Sequence, residues 1–174
     1  MLEYACSRAS AWDCPISLIG RLKHLRSHPR TEDNLEVIRH WEDARIAGVF
    51  TEDQKRAMRD PDQEHILLID GNGDYELQPY ERIPAVARGD SRIQAYIFNR
   101  SGKVYVVYWH ASGESRLVLG LNPETTRLFK TLGEEIPIIR SDSGIVITVG
   151  DRNYLTTDLT REEMIAAFRE AKTL

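Results

Sequence analysis

The stretch RIQAYIFNRSGKVYVVYWHA, residues 92–111, determines how the second part of this chain folds. Two runs rich in Ile, Val, Tyr, Phe and Trp lie on either side of Ser101-Gly102, and these residue types favour β-strands. A two-residue connection containing glycine between two such runs is typical of a tight β-hairpin. The stretch therefore predicts two antiparallel strands joined by a turn at Ser101-Gly102.

The same pattern extends in both directions from this hairpin, starting after residue 63. Short apolar runs alternate there with turn residues, which is typical of antiparallel sheets. The further runs are HILLID, YELQPY, SRLVLGL, TTRLFK, EIPIIR, GIVITVG and NYLTTD, with a predicted turn at Leu132-Gly133. Short strands at this spacing predict a β-sandwich or a strongly bent sheet.

Residues 1–63 are predicted to be helical, because apolar residues recur there at helical spacing. The first helix is expected to begin near Pro15 and to carry four apolar residues, Leu18, Ile19, Leu22 and Leu25. Thr31 is the predicted N-cap of a second helix. Thr51 and Gln54 have the spacing of a capping box for a third helix.

A C-terminal helix has the clearest start signal in the chain. Thr160 and Glu163 have the spacing of a capping box, and Leu159 and Met164 have that of a hydrophobic staple. The fold class is therefore predicted to be α+β. Its two parts are a helical segment at residues 1–63 and an antiparallel β-sandwich-like domain with a C-terminal helix at residues 64–174.

Composition excludes several classes of partner. The chain has 174 residues, 41% of them hydrophobic and 29% charged, and a formal net charge of −4. This acidity argues against a nucleic-acid partner and against an anionic membrane surface. Neither a membrane span nor a signal peptide is predicted from the sequence.

Two groups of residues could suggest a bound metal, but both have simpler interpretations. Asp70, Asn72 and Asp74 match the first ligand positions of a calcium loop, yet Tyr75 stands where that loop needs glycine. We expect a hairpin turn there. The two cysteines, Cys6 and Cys14, are expected to be small buried residues. No metal and no cofactor are predicted.

Strand aromatics offer one alternative function. In a strand, Tyr105 and Trp109 face one side, whereas Tyr108 and His110 face the other. Exposed rings on either side would form a stacking platform for a sugar, whereas a strand with both faces covered fits the pattern equally well. A carbohydrate-binding module using Tyr105, Tyr108 or Trp109 is therefore one alternative.

A small independent enzyme is a second alternative. It would require a pocket that joins His110 or His65 to acids such as Asp142 or Asp151. The sequence contains neither a Gly-x-Ser-x-Gly nucleophile elbow nor a glycine-rich phosphate loop. We therefore do not expect the chain to be an enzyme on its own.

Most of the chain resembles the C-terminal portion of a barrel-type glycoside hydrolase. SRASAWDCPISL looks like a final barrel strand and its loop, and HPRTEDNLEVIRHWEDARIAGVFTEDQKRAMRDPDQEHILL resembles the helices that close such barrels. AYIFNRSGKVYVVYWH, TRLFKTLGEEIPI and YLTTDLTREEMIAAF look like an appended β-domain. The resemblance implies that the chain is either the tail of a longer enzyme or the product of a shortened gene. The catalytic carboxylates of such enzymes lie on earlier barrel strands.

The resemblance implies a non-catalytic C-terminal accessory or structural portion of a glycosidase-like protein, and no catalytic residue is transferred. Asp13 would lie in a barrel-end loop that could contact substrate, and Trp12 could stack on a sugar. A barrel end taken alone would expose apolar helix faces. We therefore expect carbohydrate as a partner, and a homodimer formed through the N-terminal helices.

Overall fold

The computed structural model describes residues 2–70, 72–87, 90–131 and 134–174. Five helices and eleven strands lie within these ranges. The chain divides into two compact units, residues 1–80 and residues 81–174. Helices at the N-terminus, antiparallel sheets and a C-terminal helix confirm the predicted α+β class.

The first unit combines four helices with a hairpin. The helices are α1 (Leu2–Ala11), α2 (Leu22–Ser27), α3 (Thr31–Ile46) and α4 (Glu52–Met58), and the hairpin strands are β1 (Glu64–Ile69) and β2 (Tyr75–Arg82). Trp41 is buried in its core, stacks on Phe50 with ring centroids 5.6 Å apart, and donates a hydrogen bond from Nε1 to Glu3 Oε2 at 2.5 Å. Because α1 packs on β1, this compact unit includes the hairpin and continues past residue 63.

The start of the chain differs from the sequence-based expectation. Residues 7–11, expected to belong to a barrel strand, lie in α1. The helix expected from Pro15 begins only at Leu22, and residues 14–20 are in neither a helix nor a strand. The β-branched Ile16 and Ile19 and the flexible Gly20 disfavour helix in this segment, despite its helical spacing.

Helix caps in this unit were predicted correctly once and incorrectly once. Thr51 Oγ1 accepts a hydrogen bond from Gln54 N at 3.2 Å, and Gln54 Oε1 accepts one from Thr51 N at 2.9 Å, so the capping box is confirmed. Thr31 is not an N-cap; it is the first residue of α3, and Arg30 precedes it as the cap residue. The Thr31 hydroxyl donates instead to Leu25 O at 2.5 Å, which removes it from the helix end.

The second unit is a two-sheet sandwich with one helix. Its elements are β3 (Ile93–Arg100), β4 (Lys103–His110), β5 (Ser115–Leu119), β6 (Arg127–Thr131), β7 (Glu134–Ile136), β8 (Ile139–Ser141), β9 (Gly144–Val149), β10 (Asn153–Thr156), α5 (Arg161–Glu170) and β11 (Lys172–Thr173). Within the unit, one sheet has the order β3-β4-β10-β6-β7 and the other β11-β5-β9-β8. Apolar side chains of both sheets and of α5 share one core.

Turn chemistry explains how these strands are connected. Ser101 and Gly102 have φ of +49° and +75°, the values that a two-residue hairpin of this kind needs, so the predicted β3–β4 turn is confirmed. EIPIIR was predicted as one strand but forms two, β7 and β8, which lie in different sheets. Pro137 separates them because it has no amide hydrogen for a ladder. The predicted turn at Leu132-Gly133 lies outside the described residues.

The C-terminal helix begins as its sequence predicts. Thr160 N donates to Glu163 Oε2 at 2.9 Å, and Glu163 N donates to Thr160 Oγ1 at 3.3 Å. Met164 is fully buried and Leu159 packs against the same core, consistent with the predicted staple. These contacts orient Phe168 into the core beside Tyr108.

Candidate functional site

The turn after α1 exposes a tryptophan next to an acid. Cys14 N donates to Ala9 O at 2.8 Å and closes the turn, and Asp13 takes a left-handed φ of +53°. Aspartate tolerates this conformation better than most residues. The turn leaves the side chain of Trp12 65% exposed.

Arg59 holds the Trp12 ring in place. Its Cζ lies 4.4 Å from the centroid of the Trp12 ring, within the range of a cation–π contact. Its Nε and Nη2 both donate to Ala11 O, at 3.0 and 2.7 Å. A guanidinium fixed in this way limits the rotamers of the Trp12 ring. The ring would therefore lose less conformational entropy on binding a ligand.

Asp13 belongs to an ion-pair group with α3. Arg45 Nη1 lies 2.8 Å from Asp13 Oδ1, and Arg45 Nη2 lies 2.9 Å from Glu42 Oε2. Glu42 Oε1 also accepts a hydrogen bond from Ile16 N at 3.1 Å. The hydrogen bond from Arg45 lowers the pKa of Glu42, whereas a general acid needs a raised one. The group suits binding and positioning better than proton transfer.

The strand aromatics alternate as predicted but do not form an open platform. Tyr108 is 1% exposed; its ring centroid lies 6.1 Å from that of Phe168, and burial raises the pKa of its hydroxyl. Trp109 is 8% exposed and stacks nearly parallel on Tyr96 at 5.3 Å. Burial removes the ring faces of Tyr108 and Trp109 that a sugar would need.

Tyr105 is the only one of the three strand aromatics that remains half-buried. It stacks on Phe98, with ring centroids 5.6 Å apart and an angle of 18° between the rings. Because Phe98 occupies one face of the Tyr105 ring, a single partly covered ring is left. The ring of Trp12, 65% exposed, is therefore more open than any of the three strand aromatics.

His110 is bonded to an acid that the sequence analysis did not select. Its Nε2 donates to Asp90 Oδ2 at 3.1 Å, and its Nδ1 accepts a hydrogen bond from Ser112 N at 3.2 Å. Arg92 donates three hydrogen bonds to Asp90, and these bonds are the main reason why the pKa of Asp90 is lowered. Both ring nitrogens of His110 are used, so we interpret the pair as structural.

The other predicted polar sites also have structural interpretations. Burial, followed by the charge of Arg8, lowers the pKa of His65 and so favours its neutral imidazole. Asp70 Oδ1 accepts hydrogen bonds from Asn72 N and Asp74 N at 2.8 and 2.9 Å, the pattern of an Asx turn. Across the described ranges, no group of three or more His, Cys, Asp and Glu side chains is arranged to hold a metal ion.

Cysteine burial was predicted correctly for one residue only. Cys6 is buried in the core of the first unit, whereas Cys14 is exposed.

No helix in the described part of the chain is both long and apolar enough to cross a bilayer. No protein-family model matches the chain, and no curated protein matches its sequence.

Proposed function

We propose that this chain is a non-catalytic, structural accessory portion of a glycosidase-like protein, and that its first unit supplies an association surface. One observation carries the proposal. Large exposed apolar side chains in the described residues fall almost entirely between residues 4 and 49, with only Ile139 and Leu174 elsewhere. They are Tyr4, Trp12, Leu18, Ile19, Leu22, Leu35, Ile46 and Val49. Large contiguous apolar surfaces on proteins usually mark contacts with other molecules or domains, which is the role we propose for this part of the chain.

Electrostatics of the acidic groups agree with a non-catalytic role. Glycoside hydrolysis needs two carboxyl groups, one of them with a raised pKa so that it can donate a proton. The pKa values of Glu42 and Asp90 are instead lowered by the guanidinium groups of Arg45 and Arg92. Each acid is thereby held as an ion-pair partner and stabilises its own unit.

The proposal is tested by comparing the chain alone with the longer reading frame that we expect to contain it. The genomic region upstream of the Met1 codon is sequenced, and both proteins are assayed on a panel of aryl glycosides. We expect hydrolysis by the longer protein and none by the chain alone. Hydrolysis by the chain alone would contradict the non-catalytic role, and a stop codon directly upstream would contradict membership of a longer enzyme.

A second candidate function, carbohydrate contact, is favoured by the exposed and braced ring of Trp12. One ring face is covered by Arg59, and Asp13 beside it has a carboxylate that can accept hydrogen bonds from sugar hydroxyls. An aromatic ring next to hydrogen-bonding groups is a common way to hold an apolar sugar face.

This contact is tested by glycan-array binding and titration calorimetry on the chain. Trp12→Ala should abolish binding, Trp12→Phe should retain part of it, and Trp109→Phe, at a buried position, should leave it unchanged. Equal binding by the wild type and Trp12→Ala would refute the contact, as would a wild type that binds no glycan.

A further inference from the structure

Residues 14–20 form an irregular segment before α2. Cys14 N and Ile16 N are hydrogen-bonded within the chain, whereas the backbone of residues 17–20 is available for pairing with another strand. The segment contains no turn and no bend. Within the described chain, the amides of residues 17–20 donate no hydrogen bond. Unpaired backbone donors and acceptors of this kind are a template on which another strand can pair.

The side chains of this segment add an apolar driving force. Leu18 is 50% exposed and Ile19 is 98% exposed, and Leu22, at the start of α2, is 59% exposed. Removing such side chains from water favours association in proportion to the apolar area that is covered. Backbone and side chains of the segment therefore both favour a contact that the single chain does not make.

Charge along the segment selects the direction of pairing. Between Cys14 and Thr31 the sequence contains no acidic residue, and Arg21 and Lys23 follow the segment directly. Asp13 precedes it; Arg45 of the same chain holds its Oδ1, and the rest of the carboxylate is largely exposed. An antiparallel pair of identical segments brings the basic end of each copy near Asp13 of the other, whereas a parallel pair brings like charges together.

We propose that two copies of this chain associate about a two-fold axis by antiparallel strand pairing of the segment at residues 14–20, through the backbone of residues 17–20. The inference rests on the proposed function for the role of this surface, and it names a second copy as the partner. It places the contact on the irregular segment before α2, and not on the N-terminal helices that the sequence analysis favoured. An isologous contact of this type is closed, because each copy uses the same surface and the assembly stops at two copies.

Light scattering coupled to size-exclusion chromatography tests the association in the full chain. We expect the wild type to have twice the chain mass at high protein concentration. The double variant Leu18→Lys/Ile19→Lys should have the chain mass, because each copy then brings two charges to the contact. Ile139→Lys, at an exposed apolar position of the second unit, is the matched control and should remain a dimer.

Cysteine cross-linking tests the direction of pairing. Ser17→Cys, Leu18→Cys and Ile19→Cys are made singly in a Cys14→Ser background and oxidised. Antiparallel pairing about an axis predicts cross-linking that is strongest at one position and falls away on either side. Similar cross-linking at all three positions would overturn the antiparallel arrangement.

The dimer and the proposed function fail in different experiments. A monomeric wild type, or a dimer that persists in Leu18→Lys/Ile19→Lys, would overturn the strand pairing. Neither result alters the glycoside-hydrolysis comparison, which tests the accessory role. Circular dichroism on each variant shows whether loss of the dimer occurs in a folded chain.

Discussion

Asp90→Asn tests the structural interpretation of His110 most directly. The Asp90 carboxylate accepts hydrogen bonds from Arg92 N, Nε and Nη2 at 3.0, 2.9 and 3.0 Å, and from His110 Nε2 at 3.1 Å. Asparagine keeps the shape of the side chain but removes its charge and one of its acceptor oxygens. The substitution therefore weakens the link between the turn before β3 and the end of β4.

The expected cost of this substitution follows from the four hydrogen bonds. A hydrogen bond to a charged group contributes about 1.5–3 kcal/mol, and asparagine retains part of each interaction. The side chain of Arg92 is largely exposed, so solvent screens the charge–charge part of its ion pair with Asp90. We expect the free energy of unfolding to fall by about 2 kcal/mol, which lowers Tm by about 4–8 °C in a chain of this size.

The pH dependence gives a second readout with a defined sign. Hydrogen bonds from Arg92 hold the pKa of Asp90 below its unfolded value of about 3.9. Asp90 therefore binds a proton less readily in the folded state than in the unfolded state. At pH values above the unfolded pKa, the Asp90 carboxylate makes its full contribution to the free energy of unfolding. This contribution is lost as the pH falls through the folded pKa, so the difference in stability between wild type and Asp90→Asn should shrink in acid.

Urea unfolding followed by circular dichroism at neutral and acidic pH measures both effects. Asp142→Asn, at an exposed position of the same unit, serves as the matched control and should stay within about 0.5 kcal/mol of the wild type. A stability difference for Asp90→Asn that is absent at neutral pH, or that is the same at every pH, would refute the reasoning. Glycosidase activity in the chain that is lost in Asp90→Asn without loss of stability would show that the pair is catalytic.

Three further predictions concern stability, each measured by urea unfolding. Trp41→Phe removes the hydrogen-bond donor to Glu3 and leaves a void, so it should lower the free energy of unfolding by about 2–3 kcal/mol. Trp12→Phe, at the exposed turn, should lower it by under about 0.5 kcal/mol. Equal effects of the two substitutions would contradict the burial argument. Gly144→Ala would place a Cβ 2.2 Å from Leu119 O at a φ of +135°, and should lower the free energy of unfolding by more than about 3 kcal/mol. Gly102→Ala, whose Cβ would meet no atom within 4 Å, should lower it by about 1 kcal/mol. A reversed order of the two effects would refute this explanation. Thr160→Ala removes the cap of α5 and should cost about 1 kcal/mol, with Thr160→Ser close to wild type as the check that the hydroxyl is responsible.

Local signals in the sequence were sufficient for most of the strands and for two of the helix starts. The β3–β4 turn and the capping boxes at Thr51 and Thr160 depend on residues within a few positions of one another. Their conformations are set by backbone sterics and by short-range hydrogen bonds. Such features can be predicted without knowing what packs against them.

Features that depend on strand register could not be predicted in the same way. Asp90 meets His110 because Ile93 pairs with His110 across β3 and β4, which brings the turn before β3 to the end of β4. Trp109 stacks on Tyr96 through the same pairing, at diagonal positions on one face. Alternation along β4 predicted the two faces of the strand, but burial depends on the layers around it.

The segment at residues 14–20 shows why a helical pattern alone could not predict its structure. Leu18, Leu22 and Leu25 have helical spacing, yet an isolated helix of this length is marginal unless one face is packed. Ile19 is almost fully exposed, so no such packing compensates for its β-branched side chain and for Gly20. A contact that covers Leu18 and Ile19 would therefore select between strand and helix. For this reason, the cross-linking pattern across residues 17–19 reports both the partner and the conformation of this segment.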